Sequence, residues 1–120
     1  MIFPEKRHRF DSKGNYAYPY IHQKPQKIGK KKNKTSDKIT NPLVDSIRSI
    51  CNKNNTELII YIAPHKVNSV NLQSDHEIIN HSDIITSNQL FYDHIHVNTK
   101  GRTQATKVLI DVLKEKIVNN

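Results

Sequence analysis

Apolar residues recur along this chain in distinct rhythms, and each rhythm predicts a different element. From Asn41-Pro42 onward, Leu43, Val44, Ile47, Ile50 and Cys51 return at spacings of one helical turn and share one face. Asn41 can accept a bond from the free N–H groups of a helix start, and Pro42 is preorganised for the first helical position. A helix is therefore predicted to begin there and to end in Asn52-Lys53-Asn54-Asn55. Cys51 reads as a small buried apolar residue rather than a nucleophile.

The run Leu58-Ile59-Ile60-Tyr61-Ile62-Ala63 has no polar interruption, is rich in β-branched residues and is cut off by Pro64. That pattern predicts a strand buried on both faces, of the kind found inside parallel sheets, and the most buried segment of the chain. Ile78-Ile79 and Asp83-Ile84-Ile85 are weaker signals; a short strand is predicted near residues 83–86, with Asn88-Gln89 as a turn. From about residue 101 to 118, Ala105, Val108, Leu109, Val112, Leu113 and Ile117 recur at helical spacing. Helix, strand, short strand and helix form the alternation of an α/β protein. Nothing strand-like is read ahead of the first helix, so a βαβ crossover is incomplete and pairing with another chain, or membership of a larger domain, is implied.

The first forty residues follow no such rhythm, and charge separates them from the rest. Residues 1–40 hold 11 Lys+Arg and 3 Asp+Glu, a net +8, whereas residues 41–120 hold 8 of each. The chain divides accordingly into a flexible basic segment, 1–40, and an α/β region, 41–120. Within the first, Tyr16-Ala17-Tyr18-Pro19-Tyr20-Ile21 is an aromatic cluster expected to lie extended against the domain, with stacking on bases as the alternative. Lys30, Lys31, Lys32 and Lys34 form a basic run suited to weak polyanion binding. One cysteine in 120 residues excludes an intramolecular disulfide and a cysteine-based zinc site. No apolar run approaches the roughly 20 residues that span a bilayer, and the first residues lack the apolar core of a signal peptide, so a soluble chain without an export address is expected.

Candidate chemistry sits in Phe91-Tyr92-Asp93-His94-Ile95-His96-Val97-Asn98-Thr99-Lys100-Gly101, just ahead of the last helix. Asp93 and His96 are three residues apart, so the carboxylate can accept a bond from the imidazole Nδ1 and leave Nε2 facing outward, which is the orienter and base of a hydrolase triad. Asn98 or Thr99 is placed to cap the helix, and Gly101 to let its first turn approach the sheet closely. The alternative for Asp93 and His96 is a loop-capping pair. His94 and His96, with His65, His76 and His81 nearby in sequence, offer metal donors without a spacing that defines three ligands; no metal and no cofactor is expected. In an α/β layer fold this loop is placed at the sheet edge where active sites collect, and His65-Lys66, after the strand, is placed at the same edge in a solvated turn.

Asp93, His96, Asn98 and Gly101 fit the C-terminal block of the SGNH, or GDSL-type, hydrolases, which they resemble over roughly residues 41–118. The strand ending Ala63-Pro64 is similar to the late core strand of that family. The resemblance implies part of a three-layer α/β/α sandwich, flavodoxin-like, and ester hydrolysis or acyl transfer through a Ser-His-Asp mechanism. It implies an ester or acylated carbohydrate as substrate. Within these 120 residues there is no Gly-Asp-Ser block after a strand, no Gly-x-Asn block and no Gly-x-Ser-x-Gly elbow. The expectation is a C-terminal part without its nucleophile, inactive alone, whose partner is a second copy or a complementing N-terminal fragment. The reading from a different class is a small basic nucleic-acid-binding protein.

Overall fold

The computed structural model describes residues 11–13, 16–36 and 41–119. The elements run β1 (Lys32–Ser36), α1 (Pro42–Lys53), β2 (Ile59–Ile62), β3 (Asn68–Leu72), β4 (Glu77–Asn80), a single 3-10 turn (Asn88–Leu90) and α2 (Thr99–Asn119). The fold is mixed α/β, with two short pairs of parallel strands and two helices. β1 pairs with β3, Lys32 facing Asn68 and Ser36 facing Leu72; β2 pairs with β4, Ile59 facing Glu77 and Ile62 facing Asn80. Side chains tie the pairs together, because Asn80 Nδ2 donates to the Val70 carbonyl and the Val70 N–H donates to Ser82 Oγ. Among the described residues no helix is long and apolar enough to cross a membrane.

α1 starts as its sequence dictates: Asn41 Oδ1 accepts from the Leu43 N–H at 2.9 Å, and Pro42 fills the first turn. Its apolar face, however, holds no fully buried residue. Leu43 is 73% exposed and Ile50 61%, and Cys51 is only half-buried, which corrects the expectation of a buried cysteine. Helical period places these residues on one face but does not supply a surface to cover it.

Three further expectations are corrected. Nothing strand-like is expected ahead of the first helix, yet Lys32–Ser36 is a strand, so a strand does precede α1. A ladder bonds backbone to backbone, and a polar sequence such as Lys32-Asn33-Lys34-Thr35 suits an edge strand, where lysines discourage further pairing. Residues 82–84 turn and 85–86 are irregular where a strand is expected, with the Ile84 N–H donating to the His81 carbonyl; the neighbouring strand is β4, which contains Ile78 and Ile79. Ile84 and Ile85 are apolar because they pack in the core, not because they alternate across a sheet. Finally, Leu58–Ala63 is not the most buried segment. β2 is half-buried, with Tyr61 exposed, since it pairs with β4 alone and no layer of α1 covers it.

The core lies elsewhere, around Ile85, Phe91 and Ala105, with Ile28, Ile84, Leu90 and Val97 packed against it. It therefore fastens the N-terminal half of α2 to the loop that precedes it. Beyond that region α2 loses its cover, and Ile117 and Val118 are exposed.

Candidate active site

The loop between Phe91 and Asn98 is held at both ends. Phe91 is fully buried and bridges Val97 in antiparallel fashion, and the Tyr92 N–H donates to the His96 carbonyl at 2.8 Å. Asn98 is also fully buried, and its amide is used at every side. Oδ1 accepts from the Lys100 and Gly101 N–H groups at 3.1 Å each, while Nδ2 donates to the carbonyls of Gln89 at 2.7 Å and Phe91 at 3.4 Å. It is at once the cap of α2 and the peg that fixes the 3-10 turn beneath it. Gly101 completes the arrangement, since a Cβ there would meet the Leu90 carbonyl oxygen at 2.1 Å.

On this base Asp93 and His96 meet as their spacing predicts. Asp93 Oδ2 lies 2.7 Å from His96 Nδ1, and Asp93 Oδ1 accepts from the backbone N–H groups of Ile95 at 2.8 Å and His96 at 2.7 Å. The imidazole N–H first, then the two backbone donors, hold the Asp93 carboxyl down at about 2, from an ordinary value of 3.8. Ionised throughout the neutral range, Asp93 can only accept, so Nδ1 carries the ring proton and Nε2 keeps a free lone pair. Among the described residues no serine hydroxyl bonds to the His96 ring.

Tyr18 covers this imidazole. Its ring stacks on His96 with centroids 4.3 Å apart and planes 28° from parallel, and it also touches the Tyr92 ring at 5.0 Å. The Tyr18 carbonyl accepts from the Thr99 N–H at 2.9 Å, and the Lys100 ammonium sits 4.0 Å above the Tyr20 ring, which pins this segment across the start of α2. The aromatic cluster thus packs against the domain, as one of its two sequence readings had it. Its seat on His96 was not legible, because no local pattern relates positions 18 and 96.

The remaining histidines do other work. His65 Nδ1 accepts from the Val67 and Asn68 N–H groups, and burial together with the nearby Lys31 charge pushes its imidazole below the usual range. His81 is buried against Tyr61, its Nδ1 without a partner among the described residues. His94 is exposed on the outer side of the loop. Among the described residues no three His, Cys, Asp or Glu side chains converge as metal donors.

A second polar cluster, absent from the sequence reading, joins the strand pairs. Lys31 is nearly buried; its ammonium lies 3.0 Å from Asp83 Oδ1 and donates to the Ser82 carbonyl at 2.7 Å, while Ser69 Oγ donates to Asp83 Oδ2. These donors hold the Asp83 carboxyl below its usual range against the opposing effect of burial. Lys31 is thus spent on structure. Compared with protein-family models, with curated proteins and with solved structures, the chain finds no match.

Proposed function

We propose that the chain carries the carboxylate and imidazole of an SGNH-type serine ester hydrolase or acyltransferase, with the nucleophile supplied from outside these residues. One observation carries the reading: the 2.7 Å contact of Asp93 with His96 Nδ1, made in the loop ahead of a capped helix, with no hydrogen bond to Nε2 among the described residues. In that chemistry His96 Nε2 removes the serine hydroxyl proton as the oxygen attacks the ester carbonyl. It then returns that proton to the departing alkoxide, and Asp93 holds the tautomer and offsets the imidazolium charge. The stacked Tyr18 ring adds a π-face to the same cation.

The proposal extends to architecture. Among the described residues each strand pair lacks a third strand and α1 has no buried residue, which supports the reading of a part of a three-layer α/β/α sandwich whose other strands come from a further segment or chain. The substrate class is an ester or an acylated carbohydrate. The nucleic-acid reading has less to stand on, since the tyrosine best placed to stack on bases is occupied by His96 and Tyr92.

The test is to express the chain together with the residues encoded ahead of Met1, in frame or in a neighbouring frame, and to treat the product with a fluorophosphonate. A Gly-Asp-Ser block in that region and a covalent adduct on its serine, lost on His96→Ala, are expected. A region with no such block, or an adduct that His96→Ala leaves unchanged, would overturn the reading.

A further inference from the structure

Beside the candidate loop, on its His94 side, lies a groove of about 480 Å³. Lys27, Lys30, Lys32 and Lys66 line it together with His94 and Asn88, and no Asp or Glu does. The lysines come from three places: the segment ahead of β1, β1 itself and the turn between β2 and β3.

Their backbone is fastened. The Ile28 N–H donates to the Thr86 carbonyl at 2.8 Å, the Asn88 N–H to the Gln26 carbonyl at 3.0 Å, and the Lys32 N–H to the Val67 carbonyl at 2.9 Å. Ile28 itself packs on the core. Four lysines line one concavity with no carboxylate among the lining residues, so the groove carries a net positive charge that an anion seated there would offset. Lysine acts as a point charge with several donors and suits tetrahedral oxyanions without demanding a bidentate geometry.

We propose that this groove is an anion-binding subsite for a molecule bearing a phosphate or sulfate group. Under the ester-hydrolase reading, on which this one assignment rests, it holds the anionic part of the substrate while the acyl group lies toward His96. Binding itself does not depend on that reading. A nucleic acid is a poorer occupant, because apart from His94 no ring lines the groove and stacking has no platform there.

The experiment is a titration of the full chain, followed by backbone amide NMR, with inorganic phosphate, sulfate and acetate, and separately with a single-stranded oligonucleotide. Saturable shifts at Gly29, Val67 and Asn88 are expected with phosphate or sulfate, at lower concentration than with acetate; which of the two binds tighter identifies the oxyanion. Lys30→Ala and Lys66→Ala should each weaken binding about fivefold at low salt, from one unit charge near 4 Å in a water-like dielectric. Lys34→Ala, outside the groove, should leave it unchanged. Non-saturating shifts, equal weakening by Lys34→Ala, or tighter oligonucleotide binding with shifts at Tyr18 and Tyr20 would each overturn the subsite. None of these failures touches the His96-dependent adduct, and loss of that adduct would not touch phosphate binding.

Discussion

Replacing Gly101 by alanine sets two effects against each other, and the structure decides which wins. Inside an exposed helix, alanine is favoured over glycine by about 1 kcal/mol. At this position the added methyl would sit 2.1 Å from the Leu90 carbonyl oxygen and 3.1 Å from Val97 Cβ. The oxygen belongs to the backbone and cannot rotate away, so α2 and the 3-10 turn must part by more than about 1 Å to reach ordinary contact. Overpacking of this kind costs about 1–3 kcal/mol. The same movement pulls the Lys100 and Gly101 N–H groups from Asn98 Oδ1, a cap worth about 1 kcal/mol. Subtracting the propensity gain leaves a net destabilisation of about 1–3 kcal/mol, read as a lower urea midpoint at unchanged slope. A variant as stable as the parent, or more stable, would refute the close approach of α2 to Leu90 and with it the construction of the site.

Three further outcomes follow from the same loop. Asn98→Ala should cost about 2–4 kcal/mol in urea unfolding, since it removes the cap and strips the donor from two carbonyls beneath it. Because folding depresses the Asp93 carboxyl from 3.8 to about 2, the folded state binds fewer protons than the unfolded one between those values. Its contribution to stability is therefore complete above about pH 4 and disappears as pH falls through about 2; unfolding curves for the parent should lose this increment over that window and those for Asp93→Asn should not. On short-chain activated esters, the purified chain and His96→Ala should show equal, low, non-saturating rates, and a saturable rate lost with His96 would place a nucleophile inside these residues or across a dimer.

How far the sequence speaks depends on whether a feature is local. Asn41-Pro42, the Leu58–Ala63 run, the period of α2 and the Asp93-x-x-His96 spacing are each contained in a few adjacent residues, and the structure follows them in position and type. Asn98 is the cap, one of the two candidates legible there, whereas the close approach at Gly101 is made to the Leu90 carbonyl of the 3-10 turn and not to the sheet, a partner no local pattern names. β1 was not, because Lys32-Asn33-Lys34-Thr35 contributes backbone to a ladder and little apolar surface, and only its partner Asn68–Leu72 makes it a strand. The burial of β2 was misjudged since apolar character states what a residue would gain from cover, and not whether cover exists. Tyr18 on His96 and Lys31 on Asp83 join residues 78 and 52 positions apart, a separation no periodicity records.

The claim most exposed to test is that Asp93 fixes His96 with Nδ1 protonated and Nε2 free. Nitrogen-15 NMR of the imidazole in the neutral form reads this directly. A protonated Nδ1 coupled to a downfield proton, an unprotonated Nε2, and collapse to a mixture of tautomers in Asp93→Ala are expected. A parent chain whose His96 carries its proton on Nε2, or whose tautomer ignores Asp93→Ala, would contradict the arrangement on which the proposed chemistry depends.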